Sequence, residues 1–466
     1  MSRSAFTGRL AAALAAASAL VVACSDVPVQ PDAGPAPISP ALSKAPAEDE
    51  VVAGEVIVKL RDGSDASLDA VTSRHGLAKG RSGFGKAYEM LLTGKGNERA
   101  MAARLAKDPD VEYAEPNYIR HVDAIDSRLW AFYNPGGLNM VFQNDPNGRD
   151  GQSLPSTYAS IKDADEDNVE GYASGGSAVT IGSIDTGVDF SHPEFTGRLI
   201  AGKDWYSNDN DPSDTPDEGH GTHTTGTMAG SNVGVAGVSG AAANVKVYVQ
   251  RVCGANGCPT SAIINAINAA ADYIDAGGNH LVAVNLSLGG RTESTGERNA
   301  IANALSKGVL VVASAGNSGQ GKVACPACDP NAISVASTTW RDELAPYSQY
   351  GSGLDLSAPG GSCYSNTTED GCIFSSVATG YTGGTTYTLN GKGPYAYMQG
   401  TSMAAPQVTG TAAIVASKAG LRGTALRDQL YNTADDKGAA GYDTKFGYGR
   451  INSYRAVTGN TLATGQ

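Results

Sequence analysis

Three short stretches of this sequence carry side chains that become reactive in combination. Asp185 lies in "IDTG", His220 in "GHGTHTTGT" and Ser402 in "GTSMAAP". A serine hydroxyl is a weak nucleophile by itself, and an imidazole can take its proton near neutral pH. A carboxylate beside the imidazole fixes its tautomer and stabilises the imidazolium. A fourth stretch, "SAGNSG", offers Asn317, whose amide can donate to an oxyanion. A donor in that role contributes roughly 3–4 kcal/mol to the transition state. The chemistry open to such a set is acyl transfer through a serine ester. Singly, each residue has a plainer reading. Asp185 suits a turn beside Gly187, His220 and Ser402 suit helix starts, and Asn317 suits a left-handed turn.

The elements around these residues must bring them together. Apolar runs at 178–184, 245–252, 280–288, 308–316 and 332–338 read as buried strands. Between them, 260–278 and 297–308 read as helices. Apolar strands alternating with helices predict an α/β fold, a parallel sheet covered on both faces. Ligands gather at the carboxyl ends of such strands. Asp185 and Asn317 follow two of the strands, while His220 and Ser402 open helices. An extended peptide could pair with the strand end "NLSLGG". Upstream, 55–60, 86–92 and 111–117 read as strands, with helices at 66–76 and 97–109. This is a small α+β unit.

The 466 residues leave room for more than one domain, and 41% hydrophobic content argues for a globular chain. A net charge of −13 disfavours nucleic acid as a partner. The N-terminus reads as an export signal over 1–23. Arg3 and Arg9 precede an apolar stretch too short to cross a bilayer. It ends in "VVAC", which resembles a bacterial lipobox and makes Cys24 a candidate lipid anchor; a cleaved signal with a chance cysteine is the alternative. Residues 24–50, rich in Pro and Ala, read as a linker. Cys253, Cys258, Cys325, Cys328, Cys363 and Cys372 fall into three local couples, and pairing within each couple is the expectation. A zinc site built from "CGANGC" and "CPAC" is the rival.

The four chemical motifs, in the order Asp…His…Ser, resemble the subtilisin-like serine peptidases over most of 170–455. The serine motif is not G-x-S-x-G, because Ala404 stands at the last position, and this disfavours an esterase elbow. The resemblance implies a triad of Asp185, His220 and Ser402 with Asn317 as oxyanion donor, and a structural role for His223. It also implies that Ser287, Leu288 and Gly289 line the substrate groove, with Ala315 and Gly316 in the opposite wall of the first specificity pocket. Neither wall contains a charged residue, so an apolar or aromatic side chain is expected before the scissile bond. Residues 51–122 resemble the family's propeptide, a ferredoxin-like unit that assists folding and then inhibits the peptidase, here 126–466. An exported monomeric zymogen acting on proteins and peptides is implied. The alternative is a silent, binding-only member, which would lack a triad residue. Calcium is implied as a structural cofactor at Asp355 with the carbonyls of Pro330 and Ala332. The acidic loop with Asp209, Asp211 and Asp214 is a second candidate, set against a solvated loop.

Overall fold

The computed structural model of the chain describes residues 51–82, 88–92, 96–122, 176–231, 238–239, 244–339, 342–362, 372–389 and 391–459. The export signal, Cys24, the linker, Cys363 and the expected junction between prodomain and peptidase lie outside them.

The first unit runs β1 (Val51–Leu60), α1 (Asp65–His75), β2 (Ala78–Ser82), β3 (Tyr88–Leu92), α2 (Glu98–Leu105) and β4 (Val111–Val122). Its strands are antiparallel in the order β4-β1-β3-β2. Ser64 starts α1 by accepting from Ser67 N, and Gly76 ends it at φ 66°, a left-handed conformation that glycine adopts without strain. Val56, Val58 and Leu60 from β1 pack on Leu68, Val71, Met101 and Leu105 from the two helices. Each such side chain contributes about 1.5–3 kcal/mol when fully buried.

The second unit continues with β5 (Val179–Asp185), β6 (Leu199–Asp204), α3 (His220–Ala229), β7 (Val245–Arg251), β8 (Cys258–Pro259), α4 (Thr260–Asp272), β9 (Ala283–Leu286) and β10 (Leu288–Gly289). Then come α5 (Thr295–Ser306), β11 (Leu310–Ser314), β12 (Ala332–Thr338), β13 (Leu356–Pro359), β14 (Ile373–Ser376), β15 (Tyr387–Leu389) and β16 (Lys392–Met398). The helices α6 (Thr401–Ala419), α7 (Gly423–Asn432) and α8 (Ser453–Thr458) end the described chain. Seven strands form a parallel sheet in the order β13-β12-β11-β9-β5-β7-β6. Every residue of β5, β9, β11 and β12 is buried, as a sheet covered on both faces requires. Ile181 and Val312 face a core that holds Met228 of α3 and Ala412 of α6. Ile184 and Val311 face another that holds Ile263 of α4 and Ile301 of α5. The chain leaves β5 for β7 and β6 on one side and returns to β9 on the other. The carboxyl end of β5 is therefore a topological switch point, where α/β sheets bind ligands.

Several boundaries differ from the sequence reading. The helix expected over 260–278 stops at Asp272. Beyond it the Asp275 carboxylate accepts from Gly277 N at 2.8 Å and Asn279 N at 2.9 Å, closing a turn instead. The helix expected from 297 starts at Thr295, because Ser294 accepts from Glu297 N at 3.1 Å. The strand expected over 280–288 divides into β9, inside the parallel sheet, and β10, which pairs with β4. Cys253–Cys258 and Cys325–Cys328 are disulfides, so these four thiols are not zinc ligands. Among the described residues no helix is long and apolar enough to cross a membrane.

Candidate active site

Asp185 ends β5 and is fully buried, as expected at the mouth of a parallel sheet. His220 is the first residue of α3, whose N-cap is Gly219. Its Nδ1 lies 2.7 Å from Asp185 Oδ1, so Nδ1 carries the proton and Nε2 is the basic nitrogen. The carboxylate also accepts from Thr186 N at 2.7 Å and Thr224 Oγ1 at 3.2 Å. Gly221 is required at the helix start, since a Cβ there would run into the Gly187 carbonyl and the Asp185 Cβ. His223, one turn along, is buried with Nε2 3.1 Å from the Ile373 carbonyl. Burial and the neighbouring His220 push it down to about 3, so it stays neutral.

A residue expected only as a candidate cation ligand holds this pair together. Asp214 accepts from Thr186 Oγ1 at 2.9 Å, Thr222 Oγ1 at 2.6 Å, and the backbone of Thr222, Thr215 and Gly219 at 2.9, 3.0 and 3.2 Å. It thereby joins the residue after Asp185 to the first turn of the His220 helix. Burial lifts its carboxyl to about 6. In the sequence it is one of several acids in an acidic loop, and only the fold gives it this role.

Ser402 is the second residue of α6, not its cap. The cap is Gly400, at φ 153° and ψ 162°, a conformation open to glycine. The Ser402 hydroxyl lies 3.3 Å from the carbonyl of Ser287, just past the end of β9 and next to β5. In return the Ser287 hydroxyl donates to the Ser402 carbonyl at 2.7 Å. Asn317 follows β11. Its Oδ1 accepts from Thr401 N at 2.9 Å and Thr401 Oγ1 at 3.0 Å, so the amide turns its NH2 the other way. Thr401 Oγ1 also accepts from Gly316 N at 3.2 Å, tying the Asn317 loop to the helix that carries Ser402. Thr401 is thus a positioning residue, with no signature in the sequence beyond its place before the serine.

The proposed groove residues are occupied by the chain itself. β4 leaves the first unit and runs antiparallel along β10, with Gly289 opposite His121 and Leu288 opposite Val122. On its other side it pairs with β8, Ile119 opposite Pro259 and Arg120 opposite Cys258. Ala315 and Gly316, expected in the opposite wall, follow β11 directly. Behind them, Ala324 N donates to the Ala315 carbonyl at 2.9 Å, and Val323 and Ala324 are buried.

Two polar contacts fasten the first unit to the second. The Glu115 carboxylate accepts from Ser294 Oγ at 2.7 Å, Thr295 N at 3.0 Å and Gly296 N at 3.2 Å, at the N-terminus of α5. Asn117 Oδ1 accepts from Ser261 N at 3.0 Å, at the N-terminus of α4. In a Ser402→Ala background, expected to prevent processing, Glu115→Ala should destabilise the precursor by about 1–3 kcal/mol, because three donors, two of them buried, lose their acceptor. The urea midpoint of the two precursors measures this, and equal midpoints would remove Glu115 from the interface account.

The expected metal residues are placed differently from the triad. Asp355 is largely buried, and its carboxylate accepts from Ser334 N at 2.9 Å, Ser334 Oγ at 2.8 Å and the Tyr431 hydroxyl. Ala332 begins β12, and Pro330 is exposed. Asp209 accepts from Asp211 N at 2.9 Å, and Asp211 from Ser213 Oγ at 2.6 Å, all within one exposed loop. Among the described residues, no group of three or more His, Cys, Asp or Glu could hold a metal ion.

The family described as the subtilase family, peptidase S8, matches residues 176–449. The fervidolysin N-terminal prodomain family matches residues 37–117. A thermophilic serine proteinase of Bacillus sp. (strain AK1) is 36% identical over 364 residues, 78% of this chain and 77% of that protein. Thermitase of Thermoactinomyces vulgaris is 36% identical over 60% of this chain and 89% of its own length. Among solved structures, fervidolysin from Fervidobacterium pennivorans, described as a keratinolytic enzyme related to subtilisin, aligns with a TM-score of 0.67 at 25% identity. That alignment covers 89% of this chain and 62% of fervidolysin, so this chain spans less than two thirds of that neighbour.

Proposed function

The chain belongs to the subtilase family of serine peptidases, and we propose that it is an endopeptidase made as a zymogen, with Asp185, His220 and Ser402 as triad and Asn317 as oxyanion donor. One observation carries the reading: the C-terminal strand of the prodomain lies as a peptide would on Leu288–Gly289, next to the Ser287 carbonyl that takes the Ser402 hydroxyl. Ser402 Oγ attacks the substrate carbonyl and its proton passes to His220 Nε2. Asp185 holds the imidazolium, and the Asn317 amide donates to the new oxyanion. Collapse expels the amine, which leaves with that proton. Water then attacks the acyl-serine by the same route.

Val323 and Ala324 behind the pocket wall are apolar, which favours large apolar or aromatic side chains before the scissile bond. Calcium has no part in this chemistry. Asp355 accepts from Ser334 and Tyr431, and the carboxylates of Asp209 and Asp211 cap their own loop, so calcium at either place would be structural and outside the catalytic steps. If Cys24 is acylated, the lipid tethers the prodomain and leaves the peptidase free on cleavage.

Cell fractionation with N-terminal sequencing of the active species tests the whole reading. The active enzyme should be in the soluble exported fraction, and its first residue should lie beyond Val122. It should cleave peptide anilides with Phe or Leu before the bond about a hundredfold faster than those with Asp. Full activity in the unprocessed precursor would contradict the zymogen reading.

A further inference from the structure

We propose that the two short disulfides are parts of the substrate groove, each bracing one of the two edge strands on which a peptide is held, so that they govern KM and not the chemical step. The inference rests on the reading that β4 occupies the peptide's place.

The strand in the groove has a partner on each side, β8 and β10, and each partner is only two residues long. Cys258 is one of the two residues of β8 and is bonded to Cys253. Cys253 N, with Val252 N, donates to the Asp185 carbonyl, at 3.2 and 2.8 Å. Between the two cysteines, Gly254 and Gly257 exchange backbone hydrogen bonds at 3.1 and 2.8 Å. The bridge therefore ties one groove edge to the end of β5. On the other side, Cys325 exchanges hydrogen bonds with Gly290, the residue after β10, at 2.7 and 2.8 Å. Its neighbour Ala324 donates to the Ala315 carbonyl, and Cys328 N donates to the Ala324 carbonyl at 2.8 Å. The Cys325–Cys328 bridge thus fastens β10 to the wall of the first specificity pocket.

A two-residue edge strand makes few ladder bonds of its own. While β4 is present, pairing holds both edges in place. Once the prodomain leaves, the edges present bare N–H and C=O groups, and only their local supports keep them at strand spacing. A cross-link that holds such an edge ready removes part of the ordering cost of binding. The cysteines are five and three residues apart, and a cross-link over so short a loop restricts the unfolded chain least. Their effect is accordingly local. None of the four sulfurs is needed for the Asp185–His220 bond or the Asn317–Thr401 contacts.

The test is steady-state kinetics on the processed enzyme with Cys253→Ala/Cys258→Ala and with Cys325→Ala/Cys328→Ala. Each pair should raise KM about tenfold for a peptide long enough to lie on both edges, with kcat held within about twofold. A single-residue ester, too short to reach either edge, should show no change in KM. Should either double variant not fold, reduction of the folded wild type replaces it. A water-soluble phosphine takes oxygen from water and converts each disulfide into two thiols, and iodoacetamide mapping shows which bond opened. Cys328 is half-buried and is the expected point of entry, since Cys253 and Cys258 are buried. A fall in kcat at constant KM, or an unmoved KM with both bonds open, overturns the proposal. So does an equal rise for the ester. Labelling of Ser402 by a fluorophosphonate is the control: its absence in the untreated enzyme overturns the peptidase reading, while normal labelling with unmoved KM overturns only the brace.

Discussion

Ser402→Ala is expected to leave a folded precursor that cannot cut itself. In the proposed mechanism the hydroxyl lost is the nucleophile, and what remains of catalysis comes from the oxyanion site and from binding. The drop in kcat should be about a millionfold. The structural consequence is small by comparison. The side chain makes one long contact, 3.3 Å to the Ser287 carbonyl, and its loss changes stability by about 1 kcal/mol or less. The reciprocal bond, from the Ser287 hydroxyl to the Ser402 carbonyl, survives the substitution because it uses the backbone. The variant should therefore run as an intact precursor on a gel and melt near the wild-type precursor. Self-processing by the purified variant at the wild-type rate would move the nucleophile elsewhere.

Asn317→Ala should have the second largest effect, lowering kcat by about a hundredfold to a thousandfold with KM little changed. The reason is geometric. Thr401 N and Oγ1 both donate to Asn317 Oδ1, which fixes the plane of the amide before substrate arrives. In the proposed role the NH2 is then preorganised for a charge that exists only in the transition state, so its removal should be felt in kcat. Single-turnover and steady-state kinetics on a peptide anilide separate the two parameters. A rise in KM with kcat unchanged would mean that Asn317 holds the ground-state substrate and not the oxyanion.

The parts of this site that were legible in the sequence are those with local signatures. Asp185 closes an apolar strand, and His220 and Ser402 each follow glycines that open a buried helix. Their chain order resembles one family, which supplied the roles expected of them. The parallel strands were readable because burial on both faces leaves unbroken apolar runs. What escaped depends on partners far away in the chain. β4 was expected to end near Asn117, yet it runs to Val122 because β8 and β10, well over a hundred residues downstream, pair with it. No local pattern shows that. Asp214 looked like a loop acid and a candidate cation ligand. Its role follows from receiving five donors once Thr186 and α3 are folded against it. The sheet of β14, β15 and β16 was not foreseen either, its Gly- and Tyr-rich sequence lacking a clear alternation. Asp355 was placed by resemblance as a calcium ligand, and its hydrogen bonds from the hydroxyls of Ser334 and Tyr431 were invisible as partners in the sequence.

The most direct measurement of the central claim is mass-spectrometric mapping of a fluorophosphonate probe on the processed wild-type enzyme, beside Ser402→Ala and His220→Ala. One phosphonylated residue is predicted in the wild type, Ser402, and none in Ser402→Ala. Labelling of His220→Ala should be slowed by several orders of magnitude, because the hydroxyl has lost its base. A label on any other residue, or labelling of Ser402 at an undiminished rate without His220, would contradict the account.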